Sequence, residues 1–249
     1  MSTPDSDRLI SDGIIELTGT DAELVTNAFS KLESIVTHEL IDSIPNNIDG
    51  NAIRGSFERT SNGKRRGIYY AQSVDKYLNS DHAGIFREAF TDLQTIGLRW
   101  LNPIVHKYEL LDFRDGTYFD TLTVARYEAV TNNDTALVGH TDYGLITIGY
   151  ANHPGLEVYK DGHWIPIKSN TPYIHTAKWL QRALRRKGVT HISKAIHRVK
   201  NCYQDRLFMG FFLEPVANFM MDGKSYAEHL RDSFIRSYGV EHPTIINLV

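Results

Sequence analysis

Apolar positions along this chain change their spacing more than once. Ile14-Ile15-Glu16-Leu17 is a short apolar run that predicts a strand, after a loose polar opening over residues 1–12. Leu24, Val25, Ala28, Leu32, Ile35 and Val36 then recur at three- and four-residue intervals, the period of one helix face. Thr20 and Glu23 stand where a capping box would open that helix, and Pro45 bounds its end. Residues 45–67 are polar and rich in Gly and Asn, and read as loop; Gly67–Ala71 reads as strand. A second helical stripe starts at Ser80 or Asp81 and runs through Phe86, Phe90, Leu93 and Trp100 to Val105. These are core positions, and Pro103 is expected to kink or break the helix.

From Thr121 the period shortens. Strand-like pieces follow at close spacing: TLTVARYEA, TALVGHTD, LITIGY, GLEVY, HWIPI, PYIHT, THISKAIHRV and RLFMGFFLE, with NND, HPG and KDG as turn signals. One helical pattern interrupts them, AKWLQRALRRK, and another closes the chain, YAEHLRDSFIRSYG. Helices first, then many short strands, then a helix predict a mainly β sandwich or barrel braced by flanking helices, without βαβ alternation. The expectation is one domain over residues 1–249. Residues 1–120 form a helical support region, 121–215 the strand-rich core, and 216–249 a C-terminal helix.

Composition narrows the function classes. The chain has 249 residues, 41% hydrophobic and 23% charged, with a formal net charge of -3. No global field favours nucleic acid or anionic lipid. The local exception, RGSFERTSNGKRR from Arg54 to Arg66, is too short for a nucleic-acid platform and suits one anionic group of a small substrate. Cys202 is the single cysteine, so no intrachain disulfide is possible and a cytoplasmic setting is expected. Cys202 lies at an expected turn and reads as structural or exposed, not catalytic. The N-terminus has no hydrophobic signal core, and no apolar run approaches a membrane-spanning length. A small-molecule partner is expected, with no nucleic acid and no membrane; the oligomeric state stays open.

Candidate chemistry centres on GHTDYGLITI, residues 139–148. In an extended segment residues i and i+2 point to one side, so His140 and Asp142 are placed to reach one ion together. Two histidines and one carboxylate on one face of a metal are the donor set of a non-haem iron site with open positions. Alone, His-x-Asp is weak: about one match is expected by chance in this composition, and a capped strand end carries the same residues. Downstream, HISKAIHRVKN offers His197, and DRLFMGFFLEP puts Arg206 in an apolar strand, where a buried cation needs an anionic partner.

The ordered run GHTDYGLITI, GLEVYKDGHWIPI, KAIHRVKN and DRLFMGFFLEP resembles the Fe(II)/2-oxoglutarate-dependent dioxygenase superfamily, and within it the isopenicillin N synthase-like and plant-type oxygenase branch. The match is dense over residues 121–215 and thinner before them. The resemblance implies a double-stranded β-helix (jelly-roll) core with helices packed outside. It implies an oxidoreductase that uses Fe(II), 2-oxoglutarate and O2. Oxidative decarboxylation of the cosubstrate to succinate and CO2 would drive hydroxylation, desaturation or cyclisation of a small molecule, such as an amino acid in specialised metabolism. Carried over by position, His140, Asp142 and His197 bind the metal. Arg206 pairs with the distal carboxylate of 2-oxoglutarate, and Tyr127 hydrogen-bonds the cosubstrate. Arg66 and Tyr70, in the segment RRGIYYA that resembles a substrate-facing strand, are candidate substrate contacts, with Arg65 as the alternative arginine.

Three positions depart from that pattern. Phe208 stands where a hydroxyl two residues after the arginine is usual, Ala125 where an Asn precedes the tyrosine, and Lys178 at a commonly acidic position. Two of them touch the cosubstrate pocket. A cosubstrate-free iron oxidase, as isopenicillin N synthase is, therefore stays as an alternative, and so does a non-catalytic barrel that binds a small acid or a metal. A halogenase fits less well, because Asp142 fills the position those members leave open. His175 and His191 read as core or surface histidines.

Overall fold

The computed structural model describes residues 4–46, 48, 54–59, 64–110, 119–130 and 134–238. Asn132 and Asn133 of the NND turn, part of the basic stretch and residues 239–249 of the expected C-terminal region lie outside them. The N-terminal part adds strands to the expected helices: α1 (Ser6–Asp12), β1 (Ile14–Glu16), α2 (Gly19–Ile35), α3 (His38–Ser43), the hairpin of β2 (Gly55–Arg59) and β3 (Arg65–Tyr70), a 3-10 segment (Gln72–Tyr77) and α4 (Ser80–Lys107). The strand-rich part holds β4 (Thr121–Tyr127), β5 (Thr135–His140), β6 (Ile146–Ala151), β7 (Leu156–Lys160), β8 (His163–Pro166), β9 (Tyr173–Thr176), α5 (Lys178–Arg186), β10 (His197–Lys200) and β11 (Arg206–Leu213). The short β12 (Met220–Met221) and β13 (Lys224–Ser225) lead into α6 (Tyr226–Tyr238).

Several local expectations are corrected. The loose opening holds α1, because the Asp5 side chain accepts a hydrogen bond from the Arg8 backbone N–H. The first long helix starts earlier than expected, with Thr18 as its N-cap in place of Thr20. It also ends at Ile35; Thr37 then caps a separate helix by accepting from the Leu40 N–H. Within the polar stretch 45–67, Gly55–Arg59 is a strand, paired antiparallel with β3. Pro103 lies inside α4, which continues to Lys107. Only the last three residues of the THISKAIHRV segment are strand, in β10.

From β4 to β11 the chain crosses repeatedly between two antiparallel sheets. The larger has the order β1-β9-β6-β11-β4-β3-β2, and the smaller β5-β10-β7-β8. This is the double-stranded β-helix that the resemblance implies. The outer face of the large sheet packs on the helices. Leu207, Met209, Phe211 and Leu213 of β11 join one apolar cluster with Val25 and Leu32 of α2 and Phe86 and Leu93 of α4. Strand periodicity then turns the alternate residues toward the small sheet. There a second, smaller cluster forms from Phe57, Ala125, Tyr127, Leu156, Tyr173 and Val199. Gly149 makes room on this inner face, since a Cβ there would lie 2.3 Å from the Tyr173 ring. Among the described residues, no helix is long and apolar enough to cross a membrane.

Candidate metal centre

His140 closes β5 and His197 opens β10, and the two residues are direct antiparallel partners in the small sheet. Their ring centroids lie 4.3 Å apart. Asp142 follows two residues after His140, where the chain leaves the small sheet to begin β6. The backbone N–H of Lys178 donates to the Asp142 carbonyl at 2.9 Å and fixes this crossing. One donor atom from each of His140, Asp142 and His197 lies within 4.8 Å of the others. Two ligands about 2.1 Å from a common ion, at right angles, stand about 3 Å apart. The Nε2 atoms of His140 and His197 are 3.4 and 3.5 Å from Asp142 Oδ1, close to that spacing.

Backbone carbonyls set the ring orientations. His140 Nδ1 lies 2.8 Å from the Val138 carbonyl oxygen, and His197 Nδ1 lies 3.0 Å from that of Ala195. A carbonyl only accepts, so each Nδ1 carries a proton and each Nε2 is turned toward Asp142. Asp142 divides its two oxygens. Oδ1 faces the two histidines, while Oδ2 accepts from Thr147 Oγ1 at 2.7 Å and lies 3.3 Å from His175 Nε2. Thr147 and His175 are themselves partners across β6 and β9.

The electrostatics suit a cation. Burial pushes the Asp142 carboxyl up, but the charges and hydrogen bonds of His197, His140 and His175 outweigh it and hold the pKa well below the usual carboxylate range. Burial pushes His197 down to about 4 against the pull of Asp142, so its imidazole is neutral at neutral pH. Burial also opposes charge on His140, but its hydrogen bond and charge contact with Asp142 raise its pKa overall. An ionised carboxylate beside a neutral imidazole is what metal binding requires.

The three side chains face a cavity of about 120 Å³ between the two sheets. Arg206 lies on its wall and is 2% exposed. Its Nε donates to the His153 carbonyl at 3.1 Å. Its buried Nη1 has no hydrogen-bond partner among the described residues. A buried guanidinium with an idle donor beside a cavity is a seat for an anion. Tyr127 stands next to it, with the Arg206 guanidinium 5.1 Å above its ring.

The structure brings together five of the seven residues singled out from the sequence: His140, Asp142, His197, Arg206 and Tyr127 all line this cavity. Arg66 and Tyr70 do not. Strand alternation turns them to the other face of β3, where Arg66 pairs with Asp42 and Tyr70 stacks on Phe86 and donates to Asp75. Arg65 and Tyr69 face the cavity in their place. The parity of RRGIYYA is fixed only by a partner strand, and the pairing of Arg65 with Tyr127 does so. His175, read as a core or surface histidine, is a core one, buried against Asp142 at the cavity wall. The clue in sequence is its spacing of two from Tyr173, which puts both on the inner face. His191 is exposed, as a surface histidine should be. Lys178 keeps out of the cavity, its ammonium 4.6 Å above the Tyr143 ring.

Comparison with known proteins agrees with this geometry. The model of the 2OG-Fe(II) oxygenase superfamily matches residues 119–215. These residues, the strand-rich core of the chain, are similar to that superfamily. Its members are oxidoreductases that use Fe(II), 2-oxoglutarate and O2. The flavonol synthase/flavanone 3-hydroxylase of Eustoma exaltatum subsp. russellianum is 34% identical over 112 residues, covering 41% of this chain and 32% of that protein. The chain thus matches about a third of that curated relative's length. Among solved structures, the dioxygenase for auxin oxidation 1 from Arabidopsis thaliana, in its complex with 2-oxoglutarate, superposes with a TM-score of 0.67 at 15% identity, covering 87% of this chain and 88% of that one. JOX2 in complex with 2OG, Fe and JA gives 0.71 at 15% identity, with 93% and 80% covered. Identities this low establish the shared fold.

Proposed function

We propose that the protein is a non-haem Fe(II) and 2-oxoglutarate-dependent oxygenase acting on a small molecule. One observation carries the reading: His140, Asp142 and His197 converge beside a cavity whose opposite wall holds a buried guanidinium with an idle donor. The donor set fits iron, with two imidazole nitrogens and one carboxylate oxygen leaving the cavity side open. The Arg206 end fits the distal carboxylate of 2-oxoglutarate. A non-catalytic barrel has no need for three converging ligands with an open side.

In this reading His140, Asp142 and His197 hold Fe(II), and Thr147 and His175 keep the second oxygen of Asp142 turned away from the metal. Arg206 and Tyr127 orient the cosubstrate by its far carboxylate. Iron with 2-oxoglutarate and O2 supplies the oxidising power for hydroxylation, desaturation or cyclisation. Phe57, Tyr69, Phe208 and Phe212 give the substrate an apolar, aromatic wall that excludes water. Asp142 is the one carboxylate on the described wall, and the metal takes it. This wall supports an apolar or aromatic substrate better than a free amino acid, whose ammonium group would lack a partner there. Specialised metabolism is the setting the flavonol synthase likeness supports, and the single cysteine supports the cytoplasm.

The deciding experiment is an anaerobic titration of metal-free protein with Fe(II) and then 2-oxoglutarate, followed by visible absorption. A charge-transfer band that vanishes in His197→Ala and weakens in Arg206→Ala is expected. Iron binding without such a band would favour the cosubstrate-free oxidase, the second reading. Apolar Phe208 and Ala125 beside Arg206 are the observation in its favour.

A further inference from the structure

Building on the proposed function, we propose that Arg65 is a second guanidinium for the carboxylate held at the Arg206 end of the cavity. β3, β4 and β11 are neighbours, and their registers align Arg65 with Tyr127 and Tyr127 with Arg206. The three residues therefore form one cross-strand row, and strand alternation turns all three toward the cavity. The next row inward is Gly67, Ala125 and Phe208, which brings no polar side chain. Within the three strands, polar contact with an anion at this end comes from the Arg65–Tyr127–Arg206 row, beside the Tyr173 hydroxyl on the same wall.

Tyr127 links the two cations. Arg65 Nη1 donates to its hydroxyl at 3.2 Å, which leaves the hydroxyl hydrogen to donate onward. The Arg65 and Arg206 guanidinium carbons lie 5.6 and 5.1 Å from the centre of the same ring. Arg65 also lies 5.4 Å over the Phe57 ring, which holds it along the wall. A carboxylate offers about four lone-pair sites. Arg206 Nη1, the Tyr127 hydroxyl and the Arg65 fork are enough to satisfy them with charge-assisted bonds. Arg65 thereby supplies the donor that Phe208 does not.

The test is calorimetric binding of 2-oxoglutarate and of 2-oxopentanoate to the Fe(II)-loaded protein under anaerobic conditions. The second ligand keeps the keto-acid head and lacks the distal carboxylate. Arg65→Met is expected to weaken 2-oxoglutarate about tenfold or more and 2-oxopentanoate less than about twofold. Arg65→Lys should recover part of the loss. The tenfold effect should persist in a Tyr127→Phe background, where Arg65 has no hydroxyl to act through. Unchanged 2-oxoglutarate affinity in Arg65→Met, or an effect that disappears with the Tyr127 hydroxyl, overturns the inference. A wild-type protein that binds the two ligands equally would instead sink the 2-oxoglutarate reading itself, which separates the two failures. Iron affinity and thermal melting of each variant report whether the site and fold are intact.

Discussion

The two faces of β11 do different work on one strand. Leu207, Met209, Phe211 and Leu213 face the helices, and each is at most 2% exposed. Arg206, Phe208, Gly210 and Phe212 face the small sheet. The outer face is apolar without exception, while the inner face opens with a buried cation whose Nη1 is idle. The fold can carry that cost because the helix-packed face and its long ladders to β4 and β6 hold the strand without help from the inner side. Stability and ligand binding are thus separated by residue parity along one strand.

That separation is sharpest for two phenylalanines of opposite parity. Phe211→Ala removes a fully buried ring that meets Phe90 of α4 edge to face, and should cost about 3 to 5 kcal/mol. Phe208→Ala removes a ring at the cavity, which already offers space on one side, and should cost about 1 kcal/mol while enlarging the substrate space. Urea denaturation of both variants checks this. Equal losses would erase the distinction between the faces.

Parity also explains what is legible in the sequence. His140 and Asp142 share parity by their own spacing, and β11 reveals its two faces by alternation alone. The jelly-roll core is therefore readable, and so are His197, Arg206 and Tyr127 through the resemblance. RRGIYYA mixes polar and apolar residues on both faces, so the sequence alone does not say whether Arg65 or Arg66 points inward. His175 is hidden for a related reason. Its partner across the ladder, Thr147, is set by the register of β6 against β9, and sequence spacing says nothing about register. The N-terminal helices are harder still. Asp5, Thr18 and Thr37 all sit at helix starts, but neighbouring Ser and Thr residues offer equally good caps, as Thr20 does.

Past the end of β11, Glu214 tests the division by pH. Burial raises its carboxyl to about 8; Tyr226, which donates to it, and Arg54 act in the opposite direction, while Asp120 and Asp142 add to the rise. The folded protein therefore holds a proton there that the unfolded chain releases above about pH 4.5. Stability from this group is full below that pH and is lost as pH rises through about 8. Glu214→Gln keeps an acceptor for Tyr226 and cannot ionise. It should gain about 3 kcal/mol over the wild type at about pH 8 relative to about pH 5, read from denaturation midpoints at both values. A wild-type midpoint with the same pH dependence as the variant would show that Glu214 does not titrate in this range.

The finest test of the inner face is His175. It is 2% exposed, its Nε2 lies 3.3 Å from Asp142 Oδ2, and its ring lies nearly parallel to that of Tyr173. As a core residue it would contribute packing alone, and His175→Phe would leave iron affinity unchanged. As a residue that steadies a metal ligand, it should be needed for full affinity even in a folded protein. Supporting groups of this kind are worth about 10- to 100-fold in metal affinity. Thr147 still holds the same oxygen at 2.7 Å, so a loss of about tenfold is expected from His175→Phe, with the urea midpoint nearly unchanged. A loss of about a thousandfold or more, beyond what a supporting group supplies, would instead make His175 a direct ligand. No loss would return it to the packing role that its sequence first suggests, and would leave Thr147 to orient Asp142 by itself.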